Sequence, residues 1–272
     1  METMPAMLID TSFDFRTDTP AGKDPDTHSK TLRRYHKELW SKPLPRGVLF
    51  TLNDNVRGHY LHHSSQRGQS SLTSDSVIPT FTRWGFAAEH PELFTQAENA
   101  SFMSLAYTIG GMMVFPGDRR DGKWTMNQAR GCHRRIADRM DLTLECIRRH
   151  YAGEDSPLGK VLARYDDFFA LFEDFSGYVD FFLLQDLVSS DKAVVTFFMP
   201  FDGFRSPAVP KDADTYREYR RRSRELADLL DRRPPEETTR GRSSDLRHVG
   251  AERPGARGDV VEAKAHAAAC CT

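Results

Sequence analysis

The stretch SPLGKVLARYDDFFALFEDF, residues 156–175, decides how this chain folds. Ser156 followed by Pro157 is a strong helix start, because serine caps free backbone N–H groups and proline suits the first helical position. The apolar residues that follow recur at helical spacing and share one broad face: Leu158, Val161, Leu162, Tyr165, Phe168, Phe169, Phe172 and Phe175. The sequence therefore predicts one amphipathic helix that packs this face into a core and ends at Ser176-Gly177.

The segments on either side of this stretch combine further helices with short strands. The spacing of apolar residues predicts helices over residues 26–39, 126–140, 141–151, 178–188 and 212–231. Short apolar runs between turn signals predict strands over 47–52, 102–114 and 192–199. Two alternatives stay open: 72–84 fits a strand or a helix, and 126–151 fits two helices or one bent helix. The predicted fold class is α+β, predominantly helical, with a few short strands.

Aromatic residues divide the chain into a core-forming part and a tail. The sequence contains 18 Phe, 8 Tyr and 3 Trp, all before residue 220, which supply enough apolar surface for a sizeable core. Residues 234–272 contain none of them and are rich in Arg, Glu, Gly, Pro, Ala and Ser. Such a segment cannot bury enough apolar area to offset its ordering entropy. We therefore expect a single globular domain over 12–232 and a disordered tail over 233–272, which is either native or a run-on extension.

Charge and cysteine content indicate the compartment. The formal net charge is −1, so no overall bias toward nucleic acid or an anionic membrane is present. The 4 cysteines form no CxxC pair, as is usual in a reducing compartment. The N-terminus lacks the features of a signal peptide, and the longest apolar runs are far too short to span a bilayer. The sequence therefore predicts a soluble, cytoplasmic protein without a membrane partner.

An arginine-rich region over residues 130–149 is the best candidate for a functional site. On helices, Arg130, Arg134 and Asp138 would share a stripe, with Arg139 in a second row and Glu145 facing the next arginines. The candidate ligand-binding residues are Arg130, Arg134, Asp138, Arg139, Glu145 and Arg148. Arginine forks suit phosphate groups, so the first hypothesis is an enzyme or binding protein for a nucleotide, another phosphate-bearing ligand or nucleic acid. The alternative is a non-catalytic interaction protein in which these charges only brace helices.

None of the other motifs indicates a class of reaction. His59, His62 and His63 suggest a metal site, but no HExxH and no carboxylate at ligand spacing accompany them. Arg57 and His62 have the R-x4-H spacing of a class of helical ribonucleases, yet they lie in a stretch without helical periodicity. Nucleotide-binding, nucleophile-elbow and kinase motifs are absent from the sequence. No cofactor or metal is predicted, and whether the protein is an enzyme stays open.

Seven segments of the sequence resemble one protein family. They are YHKELWSK (35–42), SDSVI (74–78), TIGGMMVFP (108–116), DRMDLTLECIRR (138–149), SPL (156–158), DFSGYV (174–179) and FLLQDL (182–187). The family consists of bacterial proteins grouped as a domain of unknown function, and the resemblance covers residues 13–233. It implies a single intact domain and no particular activity, and the segment after Arg233 departs from its pattern.

Overall fold

The structure is a computed structural model of the 272-residue chain and describes residues 10–52, 61–65, 68–81 and 84–231. Contacts divide the chain into Met1–Arg233 and Pro234–Thr272. Everything described below belongs to the first unit. The predicted disordered tail lies outside the described residues, and the predicted domain limits, 12–232, stay a prediction.

Helices dominate the described part of the chain, so the predicted α+β, predominantly helical fold class is confirmed. The helices are α1 (Pro25–His28), α2 (Lys30–Trp40), α3 (Phe86–Glu89), α4 (Gln96–Ser104), α5 (Met126–Cys132), α6 (Met140–Tyr151), α7 (Gly159–Leu162), α8 (Asp166–Phe169), α9 (Phe175–Phe181) and α10 (Ala213–Asp231). The helix predicted over 212–231 matches α10, whereas the one predicted over 26–39 is divided at Ser29, which caps α2. None of these described helices is both long enough and apolar enough to cross a bilayer.

The strands form two small antiparallel sheets. They are β1 (Lys42–Pro43), β2 (Leu49–Phe50), β3 (Leu61–Ser65), β4 (Gly68–Ser76) and β5 (Met112–Pro116). The first two pair with each other, and the other three follow the order β3-β4-β5, in which Leu72 lies opposite Pro116 and Ser76 opposite Met112. The open stretch 72–84 therefore begins as a strand.

Two predicted strands were wrong in whole or in part. Only the end of 102–114 is a strand, because Thr95 and Glu98 form a capping box that starts α4 in the preceding residues. Over 192–199 the structure has a single isolated bridge, between Val188 and Val195. The β-branched and aromatic residues there pack without a neighbouring strand to pair with.

The stretch 156–175 is a series of short helical turns and not one helix. Between α7 and α8 the chain narrows to a 3-10 turn, and Glu173, with a φ of 71°, ends the series. Helix α9 then starts at Phe175 and runs through Gly177, where a Cβ atom would lie 2.1 Å from the carbonyl oxygen of Phe172. The predicted stop at Ser176-Gly177 was therefore wrong, because this glycine permits a close backbone contact inside a helix.

The predicted apolar face of 156–175 is nevertheless the centre of the core. Six residues of this face are at most 1% exposed: Leu158, Leu162, Tyr165, Phe168, Phe169 and Phe172. The ring of Phe172 lies 5.0 Å from Phe181 and 5.1 Å from Phe182, and Trp40 on α2 lies 5.2 Å from Phe182. Aromatic packing thus joins α2 and α9 to the 3-10 turn that follows α8, while α6 contacts α7 and α9.

Candidate functional site

The connection between α5 and α6 positions most of the predicted site residues. Helix α5 ends at Cys132, so the helix predicted over 126–140 stops early, and residues 133–139 form a compact turn. Ala137 and Asp138 have φ values of 49° and 60° in the left-handed region, although the turn contains no glycine or proline to signal it. The Asp138 N–H donates to the carbonyl oxygen of Arg130 at 3.2 Å. Arg130, Arg134 and Asp138 therefore do not form the predicted helical stripe.

Arg130 points inward and is fully buried. Its NH1 donates to Asp75 Oδ2 at 3.0 Å, and its NH2 donates to the carbonyl oxygen of Asp138 at 2.9 Å. The guanidinium also lies over the ring of Phe115, 4.9 Å from the ring centre. The Asp138 carboxylate oxygen Oδ1 is 3.7 Å from NH1. Arg130 therefore ties α5 and the turn to the three-stranded sheet.

Arg139 is also buried and paired. Its Nε and NH2 donate to the two carboxylate oxygens of Asp141 at 3.0 and 2.5 Å, and its NH1 donates to the Tyr219 hydroxyl at 3.0 Å. Burial lowers the pKa of Arg139, but the charge of Asp141 and the hydrogen bonds to Asp141 and Tyr219 together outweigh it, so the pKa is raised overall. Arg139 thus links the start of α6 to α10.

Glu145 holds two arginines of α6. Its carboxylate accepts from Arg148 Nε at 2.8 Å and from Arg149 Nε at 2.7 Å. Arg148 also donates to Glu154 at 2.9 Å. The hydrogen bonds that Arg148 donates to Glu145 and then to Glu154 raise the pKa of Arg148. These bonds hold the carboxyl end of α6 in a charged network.

Among the predicted arginines, Arg134 is the exception. It is exposed, its guanidinium lies 5.9 Å from the ring centre of Trp84, and no carboxylate of the described residues is within ion-pair distance. Arg130, Arg139 and Arg148 have carboxylate partners, which is the arrangement that the bracing alternative expects. Ligand binding by the six predicted residues stays a prediction.

Next to this turn is a cavity of about 500 Å³. It is lined by His133, Arg135, Arg149, Asp155, Ser156, Pro157, Gly159, Lys160, Ala163, Gly203 and Phe204. Three of these residues carry a positive charge, against the single carboxylate of Asp155. Arg135 and Lys160 are exposed, and within the described ranges neither has an ion-pair partner. We call this space the larger cavity.

Arg149 is the cation that the structure holds in a fixed position in the larger cavity. Glu145 accepts from its Nε, and the carbonyl oxygen of Asp155 accepts from its NH1 at 3.1 Å. Its guanidinium lies 5.1 Å from the ring centre of Phe204. In the described part of the chain, its NH2 makes no hydrogen bond, so donors remain for a ligand.

His133 adds a neutral imidazole to the larger cavity. The backbone N–H of Arg135 donates to its Nδ1 at 3.2 Å, so in the neutral ring the proton is assigned to Nε2. Burial and then the charge of Arg135 lower the pKa of His133 below its ordinary value. Near neutral pH the ring is therefore uncharged and retains one N–H donor.

A second cavity, of about 270 Å³, shares Arg135 and Phe204 with the first. Its other lining residues are Arg139, Leu142, Met199, Pro200, Phe201, Asp202, Ser206, Pro207, Ala208, Val209, Lys211, Thr215 and Tyr219. We call this space the smaller cavity. Of the six residues predicted from the sequence, Arg139 lines it directly, and Glu145 acts on the larger cavity through Arg149.

No metal centre is evident among the residues that the structure describes, since no group of three or more His, Cys, Asp and Glu side chains is arranged to hold an ion. His62 and His63 lie next to each other on β3, and the ring of His63 stacks 4.1 Å from that of Phe50. His59 and Arg57 lie outside the described residues. The buried His63 of β3 therefore takes part in core packing.

Comparisons with known proteins identify a family. Neither the comparison with curated proteins nor the one with solved structures gave a match. The comparison with protein families matched residues 9–233, which is most of the chain and includes both cavities. The resemblance stated from the sequence is thereby confirmed, while a bacterial origin stays a prediction. The chain belongs to the family described as "Family of unknown function (DUF6994)".

Proposed function

We propose that this protein binds a phosphate-bearing small molecule in the larger cavity. The proposal rests on two exposed cations, Arg135 and Lys160, which line this cavity. Among the described residues, neither cation has a carboxylate partner within ion-pair distance. Ligand cavities usually measure about 300–1,000 Å³ and contain a few convergent polar groups. The larger cavity falls in that range.

The three cations have complementary roles in this proposal. Arg149, held by Glu145, offers its free NH2 donors in a fixed direction. Arg135 and Lys160 supply exposed positive charge. An arginine fork matches two phosphate oxygens, while a lysine acts as a point charge. An anionic phosphate would offset the positive charges of Arg135 and Lys160. His133 would donate one further hydrogen bond.

The alternative is an interaction protein without a small-molecule ligand. It is favoured by the internal pairing of Arg130, Arg139 and Arg148, which uses the predicted cluster for bracing. Bracing and binding are compatible here, because the cations of the proposed site are different residues. The two candidates differ in whether the larger cavity takes up an anion.

Calorimetric titration with inorganic phosphate tests the proposal. Lys160→Gln and Arg135→Gln should each weaken binding about 10-fold or more, because each removes a charge-assisted contact. Lys123→Gln and Arg134→Gln are matched controls, since both cations are exposed and line neither cavity. Undetectable binding to the wild type, or equal effects of all four substitutions, would favour the interaction protein.

A further inference from the structure

The two cavities meet at one point of the structure. Arg135 and Phe204 line both of them, so a ligand whose anionic group contacts Arg135 lies at the entrance to the smaller cavity. Each cavity is lined by three cations and one carboxylate, which in the smaller cavity are Arg135, Arg139, Lys211 and Asp202. The smaller cavity differs in its larger set of apolar side chains, with Leu142, Met199 and Phe201 among its walls.

The aromatic wall of the smaller cavity is itself supported. The ring of Phe201 is parallel to that of Phe197, with centres 4.1 Å apart and planes at 6°. It also meets the edge of Phe204 at 4.9 Å. Phe201 is only half-buried, so part of this braced ring is accessible from the cavity. A braced, accessible ring suits contact with a flat group.

A hydrogen-bond donor and a hydrogen-bond acceptor also line the smaller cavity. The Tyr219 hydroxyl accepts from Arg139 and donates no hydrogen bond within the described ranges, which leaves its proton for a ligand. The Asp202 carboxylate accepts from the backbone N–H groups of Arg205 and Ser206 at 3.0 and 2.9 Å, and it stays ionised as an acceptor. A flat ring with both donors and acceptors at its edge would find partners for each.

We infer that the ligand is a nucleoside monophosphate, with its phosphate in the larger cavity and its base in the smaller one. This inference rests on the proposed function and adds the substrate class. A flat heteroaromatic ring attached to a single phosphate matches the apolar wall of the smaller cavity, the donors and acceptors beside that wall, and the cations of the larger cavity. A mononucleotide fits better than nucleic acid, because the chain's formal net charge is −1 and nucleic-acid binding relies on neutralising many phosphates.

The test is calorimetric titration of the wild-type protein with the four nucleoside 5′-monophosphates, ribose 5-phosphate and inorganic phosphate. At least one nucleotide should bind about 10-fold more tightly than ribose 5-phosphate, because base–aromatic contact is worth about 1–3 kcal/mol. Phe201→Ala should reduce the affinity for that nucleotide to the affinity for ribose 5-phosphate. It should leave the affinity for inorganic phosphate unchanged. Trp124→Ala, at an exposed aromatic residue that lines neither cavity, is the matched control.

The outcomes separate this inference from the proposed function. If Lys160→Gln weakens the binding of phosphate compounds but no nucleotide binds more tightly than ribose 5-phosphate, the nucleotide inference is overturned and phosphate binding stands. If no phosphate compound depends on Lys160, the proposed function itself fails. Because the comparison of nucleotide with ribose 5-phosphate uses wild-type protein, it decides the question even if Phe201→Ala does not fold. Phe201→Leu then replaces that variant.

Discussion

The guanidinium of Arg139 and the carboxylate of Asp141 form a two-pronged pair inside the protein, with N–O distances of 3.0 and 2.5 Å. The Asp141 side chain is 2% exposed, and one of its oxygens also accepts from the backbone N–H of Phe198 at 2.9 Å. The pair therefore connects α6 to the loop that forms a wall of the smaller cavity. Its geometry is that of a structural brace.

Replacing Arg139 with Gln should destabilise the protein strongly. The change leaves the buried Asp141 carboxylate without its charged partner, which typically costs about 3–5 kcal/mol. Arg134→Gln, at the neighbouring exposed arginine, should change the free energy of unfolding by about 0.5 kcal/mol or less. Urea unfolding at neutral pH measures both. An Arg139→Gln variant as stable as the wild type would contradict the bracing role.

Phe169→Ala should also lower stability. Phe169 is 1% exposed, packs edge-on against Tyr151 at 6.0 Å, and offers its carbonyl oxygen to the Tyr151 hydroxyl at 2.7 Å. Truncating such a buried ring costs about 3–5 kcal/mol, because a cavity replaces the packed side chain. Trp124→Ala, at a half-exposed ring, should change stability far less in the same unfolding experiment. Equal free energies of unfolding for the two variants would mean that this face does not form a core.

The sequence predicted burial along 156–175 better than it predicted the helix. Apolar spacing identified Phe168 and Phe172 as core residues because burial depends on which side chains are apolar. The interruptions at Tyr165 and Glu173 depend on tertiary packing, in which the backbone of Phe172 approaches Gly177. Periodicity carries no information about such a contact.

The candidate site shows a similar division. The sequence directed attention to the region beside the two cavities, since Arg135, Arg139 and Arg149 all line a cavity. It gave no sign of the left-handed turn at Ala137, which lacks a glycine signal, and so placed Arg130, Arg134 and Asp138 on one helical stripe. Lys160 and the residues of 199–219 reach the cavities through tertiary structure, from segments that showed no functional motif.

Asp26 should make stability depend on pH. Its buried carboxylate accepts from the Ser74 N–H at 2.7 Å and from the hydroxyl groups of Thr73 and Ser74, and burial raises its pKa to about 6. The folded-state pKa lies above the ordinary value of 3.8. The contribution of Asp26 to stability is therefore fully present below that ordinary value and is lost as the pH rises through about 6.

Asp26→Asn cannot ionise, so it should gain stability relative to the wild type between about pH 4 and pH 7. The gain should be at most about 3 kcal/mol, which corresponds to the two-unit shift. Urea unfolding across this pH range measures the difference. A stability difference between Asp26→Asn and the wild type that stays constant across this range would show that burial does not raise the pKa of the Asp26 carboxyl group.

Ending the chain after Arg233 should leave the melting temperature unchanged. Residues 234–272 contain no Phe, Tyr or Trp that could anchor them in a core. Limited proteolysis of the full chain should accordingly accumulate a fragment that ends near this residue. Unfolding of the shortened protein would show that the domain extends further than 12–232.

His133 should couple anion binding to pH. In the larger cavity its ring faces the cations Arg135, Arg149 and Lys160 and the carboxylate Asp155, and its pKa is lowered by burial and then by Arg135. A bound anion favours the protonated imidazolium, so affinity should rise as pH falls, mainly below the ordinary histidine value of about 6.5.

Sulfate is the suitable probe because its own charge stays constant between about pH 5 and pH 8, the range in which histidine titrates. Wild-type protein should bind sulfate several-fold more tightly at the lower pH, and His133→Gln should lose this dependence while keeping its affinity at the higher pH. His90→Gln, at a partly exposed histidine that lines neither cavity, should behave as the wild type does. Sulfate affinity that rises equally in wild-type and His133→Gln protein would assign the proton to another group and remove His133 from the anion site.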